Sequence, residues 1–207
     1  MRLYLGTVFQ RKCRIFGENP NPMDKWKNRY RIPTARARFW DYGWNGSYFV
    51  TICTHRMIHY FGEVVNKQMV LNDAGRIAHD CLLLIPKYHP YTRLGEIVVM
   101  PNHIHAIVAI CKEDDGRDDA PPVAEGKSHN QFGPQQGNLA AAIRGYTSGV
   151  TSRIWRSGIK DFDWQRRYWD NIIRTEQSYR NIHNYILTNP AKLDEDRFND
   201  RRRRGIE

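Results

Sequence analysis

Residues 94 to 111, LGEIVVMPNHIHAIVAIC, restrict the fold more tightly than any other stretch. They read as two apolar strands, 94–100 and 103–111, separated only by Pro101 and Asn102. The second strand sets two imidazoles, His103 and His105, among Val, Ile and Ala. Side chains alternate along a strand, so His103 and His105 point one way and Ile104 the other. Two ring nitrogens then converge in front of the sheet. Such a pair suits a metal, a phosphate, or a purely structural role.

The remaining pattern supplies the partners for these strands. SYFVTICTH (47–55) reads as a strand, and FGEVVNKQMVLN (61–72) as a hairpin turning at Asn66-Lys67. Asn72 caps a helix through DAGRIAHDCLLLIPKY, with Ile77, Cys81 and Leu84 on one face. A second helix spans 138–155, YWDNIIR (168–174) is a short strand, and a last helix runs from Glu176 to Thr188 before Pro190. The order β(ββ)αββαβα predicts an α+β fold. We expect a ferredoxin-like antiparallel sheet with helices on one face and a C-terminal helix carrying a tyrosine. A chain of 207 residues suits one such domain. We place it at 46–190, between a basic aromatic extension (1–45) and a charged tail (191–207). Residues 112–137, polar and rich in Gly and Pro, form a long surface loop within it.

Charge narrows the partners. The formal net charge of +10 makes a polyanion the first to consider. The extension interleaves Arg29, Arg31, Arg36 and Arg38 with Trp40 and other aromatics. Cations for phosphates and flat rings for bases are the two ingredients of single-strand binding. Arg144 and Arg153 on the penultimate helix, and Arg166 and Arg167 in WQRRY, add to the candidate nucleic-acid contacts. No apolar run approaches the ~20 residues of a membrane span, and the N-terminus has no signal-peptide pattern. Cys53, Cys81 and Cys111 sit in apolar periodic segments and read as reduced, buried thiols. The expectation is a cytoplasmic, nucleoid-associated protein that avoids membranes, as monomer or homodimer.

On the last helix, EQSYRNIHNYILTNP, Tyr179, Ile182 and Ile186 form the apolar face. Tyr185 lies a quarter-turn away, in line with Ser178, Asn181 and Asn189. A hydroxyl and a metal-capable amide are thus presented together. A divalent cation on His103 and His105 would polarise a scissile phosphate, and Tyr185 would attack phosphorus. Tyr146, Tyr168 and Tyr179 are the competing phenols. Tyr179 is better placed as core, and Tyr168 precedes a strand.

VVMPNHIHAIV resembles the His-hydrophobic-His motif of the HUH nucleases. WQRRYWDNIIRT and YRNIHNYILTNPAK resemble the nucleophile region of the REP-associated tyrosine transposases, kin of the insertion-sequence single-strand DNA transposases. GSYFVTICTHRMIHYFGEV and LAAAIRGYTSGVTSRI are similar to further blocks of that family, and the likeness spans about residues 30 to 190. By position, the resemblance implies a metal pair at His103 and His105, a third ligand at Asn189 and a nucleophile at Tyr185. It further implies Mg²⁺ or Mn²⁺, hairpin-bearing single-stranded DNA as partner, and a 5′-phosphotyrosine intermediate. Asn171 stands where members of the family often carry histidine. Two rivals compete with this strand-transferase reading. One is a non-catalytic ferredoxin-like module that binds single-stranded DNA or RNA; the other is a hydrolytic nuclease using the metal with water.

Overall fold

The computed structural model describes residues 25–26, 29–30, 40–112 and 136–195. Two short strands, β1 (Lys25–Trp26) and β2 (Arg29–Tyr30), pair antiparallel ahead of the main body. Then follow β3 (Gly46–Cys53), the hairpin β4 (Gly62–Val65) and β5 (Gln68–Leu71), and helices α1 (Asp73–Leu83) and α2 (Ile85–Tyr88). The chain continues through β6 (Thr92–Val99), β7 (His103–Ile110), α3 (Leu139–Arg156), β8 (Trp169–Ile173) and α4 (Glu176–Thr188).

Local chemistry accounts for the punctuation. Asn66 and Lys67 both take positive φ, 50° and 64°, the two-residue turn whose twist matches a hairpin. Asn72, Asn138 and Thr175 each accept a backbone N–H two or three residues into α1, α3 and α4, satisfying donors the helix itself leaves open. The single helix expected over 73–88 is two pieces, because Pro86 has no N–H to carry the ladder across Leu84.

Without the β4–β5 hairpin, the order is β3-α1-β6-β7-α3-β8. The sheet runs β6-β7-β3-β8 with every neighbour antiparallel, the split βαβ arrangement of the ferredoxin-like class. β7 is central and buried along its whole length. One face of the sheet presents Tyr48, Val50, Ile52, Ile104, Ala106 and Val108 to buried residues of α1, α2 and α3, and this is the hydrophobic core. The expected placement of helices on one face describes these three. The tyrosine-bearing α4 lies across the other face, where Tyr185 and Tyr179 reach β7 and β6. Gly95 makes the close approach possible. A Cβ there would stand 3.0 Å from Ile107 and 3.1 Å from the Tyr179 hydroxyl.

Two expectations need correction. Trp40 is no exposed stacking platform: it is 2% exposed, and its indole N–H donates to the Tyr48 hydroxyl at 2.9 Å. Asp41 and Gly43 turn the chain there, and the Leu139 N–H donates to the Tyr42 carbonyl, so the aromatic cluster folds onto β3 and the start of α3. The packed domain therefore takes in Trp40 and Tyr42, ahead of the expected start at 46. Trp40→Ala should cost about 3–5 kcal/mol, read as a lowered urea midpoint; a loss below ~1 kcal/mol would contradict this packing. The second correction is Cys111, which is exposed, one residue past the end of β7; Cys53 and Cys81 are buried.

Arg31, Arg36 and Arg38, most of the 112–137 loop and the tail beyond 195 lie outside the described residues. Arg29 falls in β2. Among the described residues, no helix is long and apolar enough to cross a membrane.

Candidate active site

The register of the sheet assembles the site. Cys53 stands opposite His103, Thr51 opposite His105, and Phe49 opposite Ile107. On the other side of β3, Thr51 faces Trp169 and Phe49 faces Asn171. Directly paired residues share a face. His105, Thr51 and Trp169 therefore form one row across three strands, on the face away from the main core.

Both histidines are fully buried, with ring centroids 4.6 Å apart. Each is held through Nδ1. Asn102 donates its amide N–H to the Met57 carbonyl at 3.2 Å, which turns its Oδ1 to His103 Nδ1 at 2.8 Å. Nδ1 of His103 thus carries the hydrogen and the lone pair lies on Nε2, the tautomer of a metal-ligating imidazole. His105 Nδ1 lies 2.8 Å from the Thr51 hydroxyl, and its Nε2 faces the Tyr185 hydroxyl at 3.2 Å. An Nδ1–H donated to Thr51 puts the acceptor lone pair on Nε2, toward the phenol.

α4 delivers Tyr185 to this point. Its ring meets Phe49 edge-on at 6.0 Å and the His105 ring at 5.2 Å. The residue as a whole is 38% exposed, although its hydroxyl meets a buried imidazole. Asn189, the C-cap residue one turn on, is 2% exposed. His183 Nδ1 on this helix lies 3.5 Å from Glu96 on β6.

The competing phenols are differently placed. Tyr146 is buried in the core and donates to the Ala78 carbonyl at 3.2 Å; burial pushes its pKa well above the usual value. Tyr179 is raised by burial and then by the nearby Glu96 carboxylate. Both environments favour the un-ionised phenol and disfavour a nucleophile. Tyr168 packs against the hydrophobic core.

Of the candidate cations, Arg166 and Arg167 are exposed just before β8, beside the strand end that carries Cys53 and His103. Arg144 and Arg153 belong to α3, across the sheet. Arg153 Nη1 donates to Cys81 Sγ at 2.9 Å, so part of that guanidinium serves the α1–α3 contact. Among the described residues, no group of three or more His, Cys, Asp or Glu side chains comes together as a cation site. The donor set is thus the two imidazoles of His103 and His105. Sequence reading passed over Thr51, Asn102 and Trp169. The period-2 alternation of each strand was the available signal for Thr51 and Trp169, once the register was known.

No family model matches the chain. A Haemophilus influenzae protein of uncharacterised function is 37% identical over 167 residues, 80% of this chain and 91% of that one. A second protein of that organism, named "Putative REP-associated tyrosine transposase", is 30% identical over 106 residues. That match spans 51% of this chain and about half, 53%, of the relative. A solved structure of a REP-associated tyrosine transposase bound to a REP hairpin aligns over 76% of this chain and 72% of that one. Identity there is 20% and the TM-score 0.46.

Proposed function

We propose that the chain acts as a REP-associated tyrosine transposase, the name carried by a relative 30% identical over about half its length, and that it cleaves and rejoins hairpin-bearing single-stranded DNA through Tyr185. The observation that carries this reading is the 3.2 Å contact between the Tyr185 hydroxyl and His105 Nε2, on a residue that is 38% exposed. In the reaction, the Tyr185 oxygen bonds to phosphorus and the P–O3′ bond breaks. A 5′-phosphotyrosine ester remains on the protein, and the departing 3′ oxygen takes up a proton. The ester keeps the bond energy, so a second DNA end with a free 3′-hydroxyl can be joined by the reverse step.

His103 and His105 would hold a divalent cation through Nε2, with Asn189 as a third ligand. The tautomer that Asn102 imposes on His103 fits this role. When bound, the cation neutralises charge developing on the phosphate. Mn²⁺ or Mg²⁺ suits a site completed by phosphate oxygens, and imidazole favours Mn²⁺ of the two. His105 Nε2 cannot ligate a cation and accept the phenol hydrogen at once. With a cation held there, the Tyr185 proton would have to pass to an acceptor other than His105 Nε2.

Trp169 gives the site a flat surface. It is 48% exposed, on the row of Thr51 and His105, and suits stacking of a base beside the scissile phosphate. Trp169→Ala should weaken binding of single-stranded DNA by about 1–3 kcal/mol, and Trp169→Phe should recover most of that loss. Equal affinities of all three proteins in a fluorescence titration would remove the stacking role.

The test of the function is covalent capture. Wild-type protein is incubated with Mn²⁺ and a pool of hairpin DNAs carrying single-stranded flanks, then run on a denaturing gel. A DNA-shifted protein band is the expected result. Cleavage without an adduct would mean a hydrolytic nuclease, and binding without either would mean a non-catalytic module.

A further inference from the structure

α3 buries Leu139, Ala142, Ile143, Tyr146, Val150 and Ile154 in the core. Its outward side is a second pattern that packing does not require. Arg144, Ser148, Ser152 and Arg156 stand four residues apart on one line, about 18 Å from end to end at 1.5 Å per residue. Thr147, Thr151 and Trp155 run beside it, and apart from Arg144, one turn beyond, these side chains line a groove with Lys160 and Trp164. The 18-residue helix contains three arginines and no carboxylate. Among the described residues, no carboxylate pairs with Arg156 or Lys160.

Both indoles are fixed by their N–H groups, Trp155 to the Phe162 carbonyl at 3.0 Å and Trp164 to the Thr147 carbonyl at 3.2 Å. Trp155 nevertheless leaves 45% of its surface exposed.

We propose that this groove is a second nucleic-acid contact, holding the sugar–phosphate backbone of the same DNA that Tyr185 cleaves. The inference rests on the function proposed above. Guanidinium, ammonium and hydroxyl groups bind phosphates without reading sequence, and the exposed Trp155 face takes an unpaired base. The groove is also joined to the site. Trp164 bridges to Thr54, the Gln165 N–H donates to the Cys53 carbonyl at 2.8 Å, and Cys53 stands opposite His103. Arg166 and Arg167 are exposed on the segment that leads from the groove to β8, which also exposes Asp161 and Asp163. A structural alternative exists for part of it: Arg153 and Arg156 in the last turn complement the helix dipole. That accounts for neither Lys160, nor the serines, nor the exposed indole.

The test compares the full-length wild type with Arg156→Ala/Lys160→Ala and with Trp155→Ala. The probe is a fluorescein-labelled DNA hairpin with a single-stranded flank, enriched from a randomised hairpin pool on the wild type. The double variant should raise Kd by about tenfold and lower the slope of log K against log salt by about two, one for each lost phosphate contact. Adduct formation at saturating DNA should be unchanged. Trp155→Ala should weaken binding with the salt slope intact. Wild-type Kd and slope in the double variant would overturn the proposal. So would weaker binding with an unchanged slope and a lowered Tm, the signature of a helix-end role. If the wild type itself enriches no DNA, the DNA-processing reading fails first and takes this one with it.

Discussion

Tyr185→Phe should abolish the covalent protein–DNA adduct and lower strand cleavage by about 10⁴-fold or more, because it deletes the oxygen proposed as the nucleophile. DNA affinity should hardly change. The phenyl ring retains its edge contact with Phe49, and the lost hydroxyl costs one hydrogen bond, that to His105 Nε2. Leaving the buried His105 Nε2 without that partner costs about 1–3 kcal/mol, and thermal unfolding measured beside activity checks that the variant stays folded. Affinity and cleavage therefore separate in one protein, and no general loss of structure mimics that result. Cleavage at the wild-type rate would refute the assignment and return attention to Tyr168, since Tyr146 and Tyr179 sit where ionisation is disfavoured.

The second large effect concerns the histidines. His103→Ala and His105→Ala should each reduce cleavage by about two to three orders of magnitude, through loss of the charge that offsets the developing phosphate negative charge. Each truncation also strips a buried partner of its hydrogen bond, Asn102 Oδ1 in one case and the Thr51 hydroxyl in the other. The expected stability cost is about 1–3 kcal/mol. Thermal unfolding must be measured beside activity for that reason. Wild type treated with EDTA keeps every side chain and should lose cleavage, with Mn²⁺ restoring it. Activity indifferent to EDTA would dismiss the cation and leave the histidines as positioning groups for the phenol.

Much of this was readable beforehand, for identifiable reasons. Period-2 alternation put His103 and His105 on one face, and Asn72 and Asn138 marked helix starts that the backbone obeys. Asn66-Lys67 marked a turn because two successive residues there need positive φ. The failures share a cause. Trp40 sits in a basic, aromatic run that reads as a solvent-facing segment, and its packing with Trp44 and Tyr48 onto the core buries it. Thr51 and Trp169 owe their place beside His105 to strand registers across more than 50 residues of chain. No local pattern encodes those registers. The face on which α4 lies was likewise illegible, because an amphipathic helix declares which side it buries and not what it buries it against.

The sheet has two sides with separate duties. Folding rests on the side covered by α1, α2 and α3, whereas Tyr185, the histidine pair and Trp169 stand on the other. Selection for a protein that merely folds and persists leaves Tyr185 undefended. Under the function proposed above, a phenylalanine at that position among descendants of such a chain would yield a folded protein that still grips DNA and no longer cuts it. Retention of the hydroxyl across a lineage would record demand for the chemistry itself.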